Sequence, residues 1–147
     1  MYEAIFVPEG APAPSKEIIN QPELQVYVRD FGEREGDFCL AAESDNKIVG
    51  AVWGRIMKDY GHIDDETPSL AISLLKEYRN HGIGTELMKQ MLMKLNMQGY
   101  RQTSLSVQKM NDAVRMYLKT GFEIVDENDE EYIMICRLQP LAASRQC

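Results

Sequence analysis

Tyr78-Arg79-Asn80-His81-Gly82-Ile83-Gly84-Thr85 is the most informative stretch of this sequence. It lies between an apolar run, Leu70-Ala71-Ile72-Ser73-Leu74-Leu75, and a helical segment from Gly82 to about Met97. In that segment Ile83, Leu87, Met88, Met91, Leu92 and Leu95 recur at spacings of three and four, which is one face of a helix. The apolar run has the length and composition of a central strand. A glycine-bearing turn that opens a helix leaves several backbone N–H groups unpaired beside the positive end of the helix dipole, which makes an anion cradle. Gly82 and Gly84 carry no Cβ to hold a phosphate off the backbone, and the Arg79 guanidinium has the shape to fork onto phosphate oxygens. A dinucleotide fingerprint would need a third glycine where Leu87 stands. A P-loop would need Gly-Lys-Ser/Thr where the chain reads Gly84-Thr85-Glu86. On these residues alone, a plain helix start with glycines for packing is the remaining alternative.

The neighbouring segments place this junction in a mixed sheet. Asp37–Glu43 and Lys47–Met57 read as strands joined by a tight turn at Ser44-Asp45-Asn46. Gly50 and Gly54 suggest a bulge or a close backbone approach. Upstream, Ser15 reads as the N-cap of a short helix, and Leu24, Val28 and Phe31 as a second helical face stopped by Gly32. Downstream, Gly99 caps the long helix and Thr103–Val107 is a strand. Asp112–Lys119 is a helix with Ala113, Val114, Tyr117 and Leu118 inward, and Gly121 is its stop. Phe122–Val125 and Tyr132–Arg137 are strands flanking an acidic turn, Asp126–Glu131. Helices, a hairpin, strand–helix–strand–helix and a final hairpin give an α/β (α+β) domain with antiparallel edges.

The chain has 147 residues, the length of one domain. A chain of this size buries about 69% of its unfolded surface, enough for a core without staples. Residues 1–36 form a helical N-terminal part, 37–138 the core and 139–147 a tail. A net charge of −7 repels phosphate backbones and anionic lipid, so neither nucleic acid nor membrane is expected as a partner. Cys39, Cys136 and Cys147 form no CxxC pair, so neither a disulfide framework nor a metal site is expected, and a reducing cytoplasm is the default location. No apolar stretch approaches the ~18 residues of a membrane span, and no signal peptide is expected at the start.

Arg79-x-x-Gly82-x-Gly84 resembles the R/Q-x-x-G-x-G/A signature of the GNAT superfamily of acyl-CoA N-acyltransferases. Leu105-Ser106-Val107, then Asn111-Asp112-Ala113-Val114-Arg115-Met116-Tyr117 and Gly121-Phe122, resembles the family's second block, commonly N-P-A-V-x-L-Y-x-x-x-G-F. The resemblance covers roughly Lys47 to Arg137. It implies a single GNAT domain with a mostly antiparallel mixed sheet, a β-bulge, splayed central parallel strands and helices on both faces. Acetyl-CoA would be the cosubstrate, with no metal. Its pantetheine arm would lie against the main chain of Ile72, Ser73 and Leu74. Its pyrophosphate would be wrapped by Asn80, His81, Gly82, Ile83, Gly84 and Thr85, with Arg79 beside it. Asn111 matches a position whose side chain bonds the pantetheine, and a simple helix N-cap is the equal alternative. Lys76 stands where many members have proline. Members usually open with a strand; Tyr2–Val7 reads as that strand or, preferably, as the end of a first helix.

Tyr117 matches the family's tyrosine that points its hydroxyl at the thioester sulfur; a core aromatic is the alternative. The implied chemistry is direct attack of a primary amine on the thioester, the thiolate leaving with help from Tyr117. An ordinary tyrosine protonating a thiolate is uphill by about 2 kcal/mol. Hydrogen-bond stabilisation of the developing charge therefore matters at least as much as proton donation. Deprotonating a lysine-like amine at pH 7 costs about 4.6 kcal/mol against about 1 for an α-amine. Some members carry a glutamate where this chain has Ser106, so the base is sought at Asp65 and Glu66, with His62 and a water-relayed Glu77 as further candidates. Asp64-Asp65-Glu66 would attract a cationic amine, or is a solvated turn. The resemblance implies a small-molecule or peptide amine as acceptor: a lysine, an N-terminal α-amine, an aminoglycoside-like antibiotic or a polyamine. A non-catalytic acyl-CoA-sensing module is the alternative function, and homodimers are common in the family.

Overall fold

A hairpin opens the described part of the chain, with β1 (Phe38–Ser44) and β2 (Lys47–Arg55) joined by Asp45 and Asn46. Both turn residues sit at positive φ, 52° and 64°, the left-handed pair that short polar side chains tolerate and that matches strand twist. The structure is a computed structural model, and it describes residues 37–56 and 62–138. The helices expected between Ser15 and Phe31, the reading of Tyr2–Val7, and the tail from 139 lie outside the described residues.

After the hairpin come β3 (Ser69–Leu74), a 3-10 turn (Lys76–Tyr78), α1 (Ile83–Met97), β4 (Gln102–Gln108), α2 (Ala113–Thr120), β5 (Glu123–Glu127) and β6 (Glu131–Arg137). The six strands form one sheet in the order β1-β2-β3-β4-β6-β5. Every pairing is antiparallel except β3 with β4, which run parallel. The α+β sheet expected from the sequence is therefore present. No helix among the described residues is long and apolar enough to cross a membrane.

The parallel pair is the unusual feature. β3 stays paired with β2 in unbroken register from Ser69 to Leu74, and β4 with β6 from Gln102 to Gln108. Between β3 and β4, only Ser69 and Ser104 pair. Each strand keeps its outer partner and leaves its inner one, so the sheet forks. The apex is pinned: the Ser104 N–H and the Thr103 hydroxyl both donate to the Pro68 carbonyl, at 3.0 and 2.8 Å. The Ser69 and Ser104 hydroxyls lie 3.4 Å apart. Beyond that point the inner edges of β3 and β4 have no strand between them. The register breaks that mark bulges fall in β1, at Ala42/Glu43, and in β5, at Ile124/Asp126. Gly50 and Gly54 mark close approach: an added Cβ would come within 2.5 Å of Leu74 Cδ1 and 2.6 Å of Leu70 Cδ2.

One face of the sheet carries the core. Val52, Leu70, Leu105, Val107, Met134 and Cys136 pack with Leu87, Met88, Met91 and Leu95 of α1 and with Tyr117 and Phe122. Each such buried side chain contributes roughly 1.5–3 kcal/mol. Four of the α1 positions picked out by periodicity are buried as expected. Leu118 is a correction: it is 49% exposed, while Tyr117 takes the inward position of α2 and Ala113, Val114 and Met116 flank it. Strand alternation sends Val49, Trp53, Arg55 and Ile135 to the opposite face, where all four are also buried. There Arg55 makes a two-pronged pair with Asp37, Nε to Oδ1 at 2.9 Å and Nη2 to Oδ2 at 2.8 Å.

Candidate active site

The fork and the start of α1 meet at the C-terminal end of β3. Leu74 ends the strand, Leu75 donates to the Val49 carbonyl at 2.8 Å, and the 3-10 turn carries the chain to Arg79. Asn80 and Gly82 then adopt left-handed conformations, φ 64° and 83°. These two residues turn the backbone so that α1 starts beside the gap. Glu86 is the first N–H used inside the helix, donating to Gly82 at 3.1 Å. The N–H groups of Ile83, Gly84 and Thr85 precede it, and Gly82 at the N-cap has no side chain to cap them. An added Cβ at Gly82 would meet nothing within 4 Å, so what the chain itself demands of glycine there is the positive φ. At Gly84 an added Cβ would make ordinary contacts, 3.7 Å to Met116 Cε and 3.8 Å to Ile72 Cδ1.

Arg79 donates from Nε to the Leu74 carbonyl at 3.0 Å, which fixes its guanidinium against the end of β3. His81 is exposed beside it. Ile72, Ser73 and Leu74 are half-buried on the strand that borders the gap. Asn111, just before the Asp112 N-cap, accepts from the Ala113 N–H at 2.9 Å, which orients its side chain at the start of α2 and leaves its Nδ2 and the second lone pair of Oδ1 for a ligand.

Tyr117 is packed in the core cluster, 7% exposed and edge-on to Phe122 with ring centroids 5.9 Å apart. Burial pushes its hydroxyl up to about 12, so it stays protonated throughout the neutral range. Full proton transfer from it to an ordinary thiolate would be uphill by roughly 5 kcal/mol, more than for a solvated tyrosine. A hydrogen bond to developing negative charge is the action its surroundings favour. The same burial makes an alkaline prediction. Above pH 10 the unfolded tyrosine ionises while the folded one holds its proton to about 12, so stability falls with rising pH across that interval. Urea unfolding from pH 9 to 11 should show a downward slope that Tyr117→Phe flattens.

The acidic turn is built differently. Asp64 accepts from the Glu66 N–H at 2.8 Å, and a hydrogen bond from Thr67, first, and then that from Glu66 hold its carboxyl below the usual range. It organises the turn. Asp65 and Glu66 are exposed, and His62 Nε2 lies 3.8 Å from Asp65 Oδ1. Both carboxylates precede Ser69, at the apex end of β3 and away from the cradle. Ser106 sits half-buried on β4, opposite Ile133. A separate cavity of about 420 Å³ lies between β1 and α1, lined by Leu40, Leu87, Met93 and Met97 among others, and none of the expected site residues lines it.

The description of the family whose model matches, over residues 4–137, is acetyltransferase (GNAT) domain. No curated protein matches the chain. Among solved structures it is similar to the PaiA N-acetyltransferase from Thermoplasma acidophilum in complex with coenzyme A (TM-score 0.59, 22% identity, 69% of this chain and 61% of that one). It is also similar to an acetyltransferase of the GNAT family from Streptococcus pneumoniae (TM-score 0.64, 23% identity, 80% and 75%). A third is the ribosomal-protein-S18-alanine N-acetyltransferase from Escherichia coli (TM-score 0.60, 18% identity, 73% and 72%). At these identities the likeness speaks to the fold.

Proposed function

This chain belongs to the GNAT acetyltransferase family, and from that premise we propose that it transfers an acetyl group from acetyl-CoA to a primary amine of a small molecule or peptide by direct attack. The observation that carries the proposal is the forked sheet opening onto a helix start whose N-cap, Gly82, is left-handed and bears no capping side chain. Acetyl-CoA supplies an activated thioester; the chain's own residues bind it, hold it and stabilise charge.

The N–H groups of Ile83, Gly84 and Thr85, with the dipole of α1 behind them, hold the pyrophosphate. Arg79, Asn80 and His81 border it. The backbone of Ile72, Ser73 and Leu74 pairs with the amides of the pantetheine arm along the gap, and Asn111 steadies it from α2. Strand β3 rises about 3.3 Å per residue, so an arm entering at Leu74 brings its thioester toward the apex. Tyr117 hydrogen-bonds the sulfur as the thiolate leaves. Asp65 and Glu66, at the apex end, attract the ammonium form of the acceptor and receive its proton through water.

A panel of amines read by free-thiol release from acetyl-CoA tests this. Release with at least one amine is expected; coenzyme A binding with no release from any amine would favour the acyl-CoA-sensing module instead. Tyr117→Phe is expected to lower turnover 10-fold or more, on the order of 1.4 kcal/mol, while acetyl-CoA binding is kept. Equal turnover in the variant would remove Tyr117 from the mechanism.

A further inference from the structure

Helix α2 packs beside the head of α1: a Cβ added at Gly84 would come within 3.7 Å of Met116 Cε. Successive residues of a helix are turned by roughly 100° about its axis. Tyr117 faces the core, so Met116 stands on the flank of α2 that turns toward the cradle. The next positions round that flank are Lys119 and Arg115, and both are exposed. They lie four residues apart on neighbouring turns, where like charges repel. Among the described residues no carboxylate, the nearby Asp112 included, lies within ion-pair distance of either. Two cations are thus held side by side without a counter-charge, in a chain of net charge −7, next to the residue that touches the cradle.

We propose that Arg115 and Lys119 form a second anion subsite, which takes the 3′-phosphate of coenzyme A and so selects the full cofactor over its dephospho form. This rests on the acetyltransferase reading above. The ribose that carries this phosphate adjoins the diphosphate, so a diphosphate seated on Ile83, Gly84 and Thr85 brings the ribose beside α2. A phosphate monoester carries about −1.5 to −2 charges at pH 7 and three strong acceptor oxygens. The Arg115 guanidinium can fork onto two of them, and Lys119 adds a point charge on a flexible stem. The bound phosphate also relieves the repulsion between the two cations. Lys119 has a separate structural use, since a cation in the last turn of α2 suits the negative end of the helix dipole. That contribution is the same whichever ligand is bound.

Calorimetry with coenzyme A and with 3′-dephospho-coenzyme A reads the subsite as a ratio of affinities. The parent should bind coenzyme A about 10-fold or more tighter than the dephospho form. Arg115→Gln combined with Lys119→Gln should weaken coenzyme A binding by about that factor and leave dephospho-coenzyme A within about twofold, so that the preference disappears. Lys94→Gln is the control, because it removes the same charge from the far part of α1, about 15 Å along the axis from Gly84. It should leave the preference intact. Equal losses for both ligands in the double variant, as a folding defect or a general loss of positive charge would give, overturn the proposal. So does a parent that binds the two ligands alike, a double variant that keeps the preference, or a Lys94 variant that loses it. A parent that binds neither ligand counts against the acetyltransferase reading itself, and the subsite falls with it.

Discussion

Asp37→Ala is expected to destabilise the protein by about 3–5 kcal/mol, because it removes the carboxylate that two hydrogen bonds hold against the buried Arg55 guanidinium. Both side chains are sealed, at 0% and 1% exposure, and two hydrogen bonds hold them in parallel. A domain of ordinary stability has only about 5–15 kcal/mol to lose, so the variant should lie near its unfolding midpoint at modest denaturant. The cost comes from removing one member of a buried, hydrogen-bonded charge pair. A double variant, Asp37→Leu with Arg55→Met, should therefore regain most of it. Urea unfolding of the three proteins checks this, provided their m-values agree. A loss below about 1 kcal/mol in Asp37→Ala, the size typical of a solvated pair, would contradict the account of the buried bridge.

Gly82→Val should abolish tight coenzyme A binding, with affinity falling on the order of 100-fold, about 2.7 kcal/mol. The argument is conformational. Gly82 sits at φ 83°, where a β-branched residue is a severe outlier. The turn would relax toward negative φ and re-aim the N–H groups at the head of α1. Gly84→Ala is the matched control, since its Cβ meets only ordinary contacts at 3.7 and 3.8 Å. It should bind within about threefold of the parent, in keeping with a family signature that accepts alanine there. Calorimetry on both variants separates the two positions. Normal binding by Gly82→Val would show that the cradle is elsewhere.

Much of this arrangement could be read in the sequence, for physical reasons that differ by element. The junction was legible because a strand pattern, glycines at a turn and a helical stripe each follow from local chemistry, and all three agree from Leu70 to Leu95. The hairpin at Asp45-Asn46 was legible for the same reason. The inner face of α2 was misjudged at Leu118, because eight residues give two apolar neighbours almost the same claim to the core. The Asp37–Arg55 bridge could not be counted out from the turn. The shift at Ala42/Glu43 moves the register by one, so the turn alone sets Asp37 opposite Gly54 instead of Arg55. The fork leaves no local trace either, since β3 and β4 each read as ordinary strands and their parting is a tertiary fact. The indole N–H of Trp53, buried with no hydrogen-bond partner among the described residues, belongs with it, since burial is a property of packing and not of composition. The acidic turn gives the opposite lesson. Asp64, Asp65 and Glu66 look alike in sequence, yet Asp64 is occupied by the turn itself, and only its neighbours stay available for chemistry.

The central claim is that backbone donors at the head of α1 hold the diphosphate of coenzyme A. An amide-resolved NMR titration with coenzyme A addresses it directly. The account predicts that the N–H resonances of Ile83, Gly84 and Thr85 move furthest and saturate together. Resonances there that stay fixed while others shift, or a spectrum unchanged at millimolar coenzyme A, would contradict it.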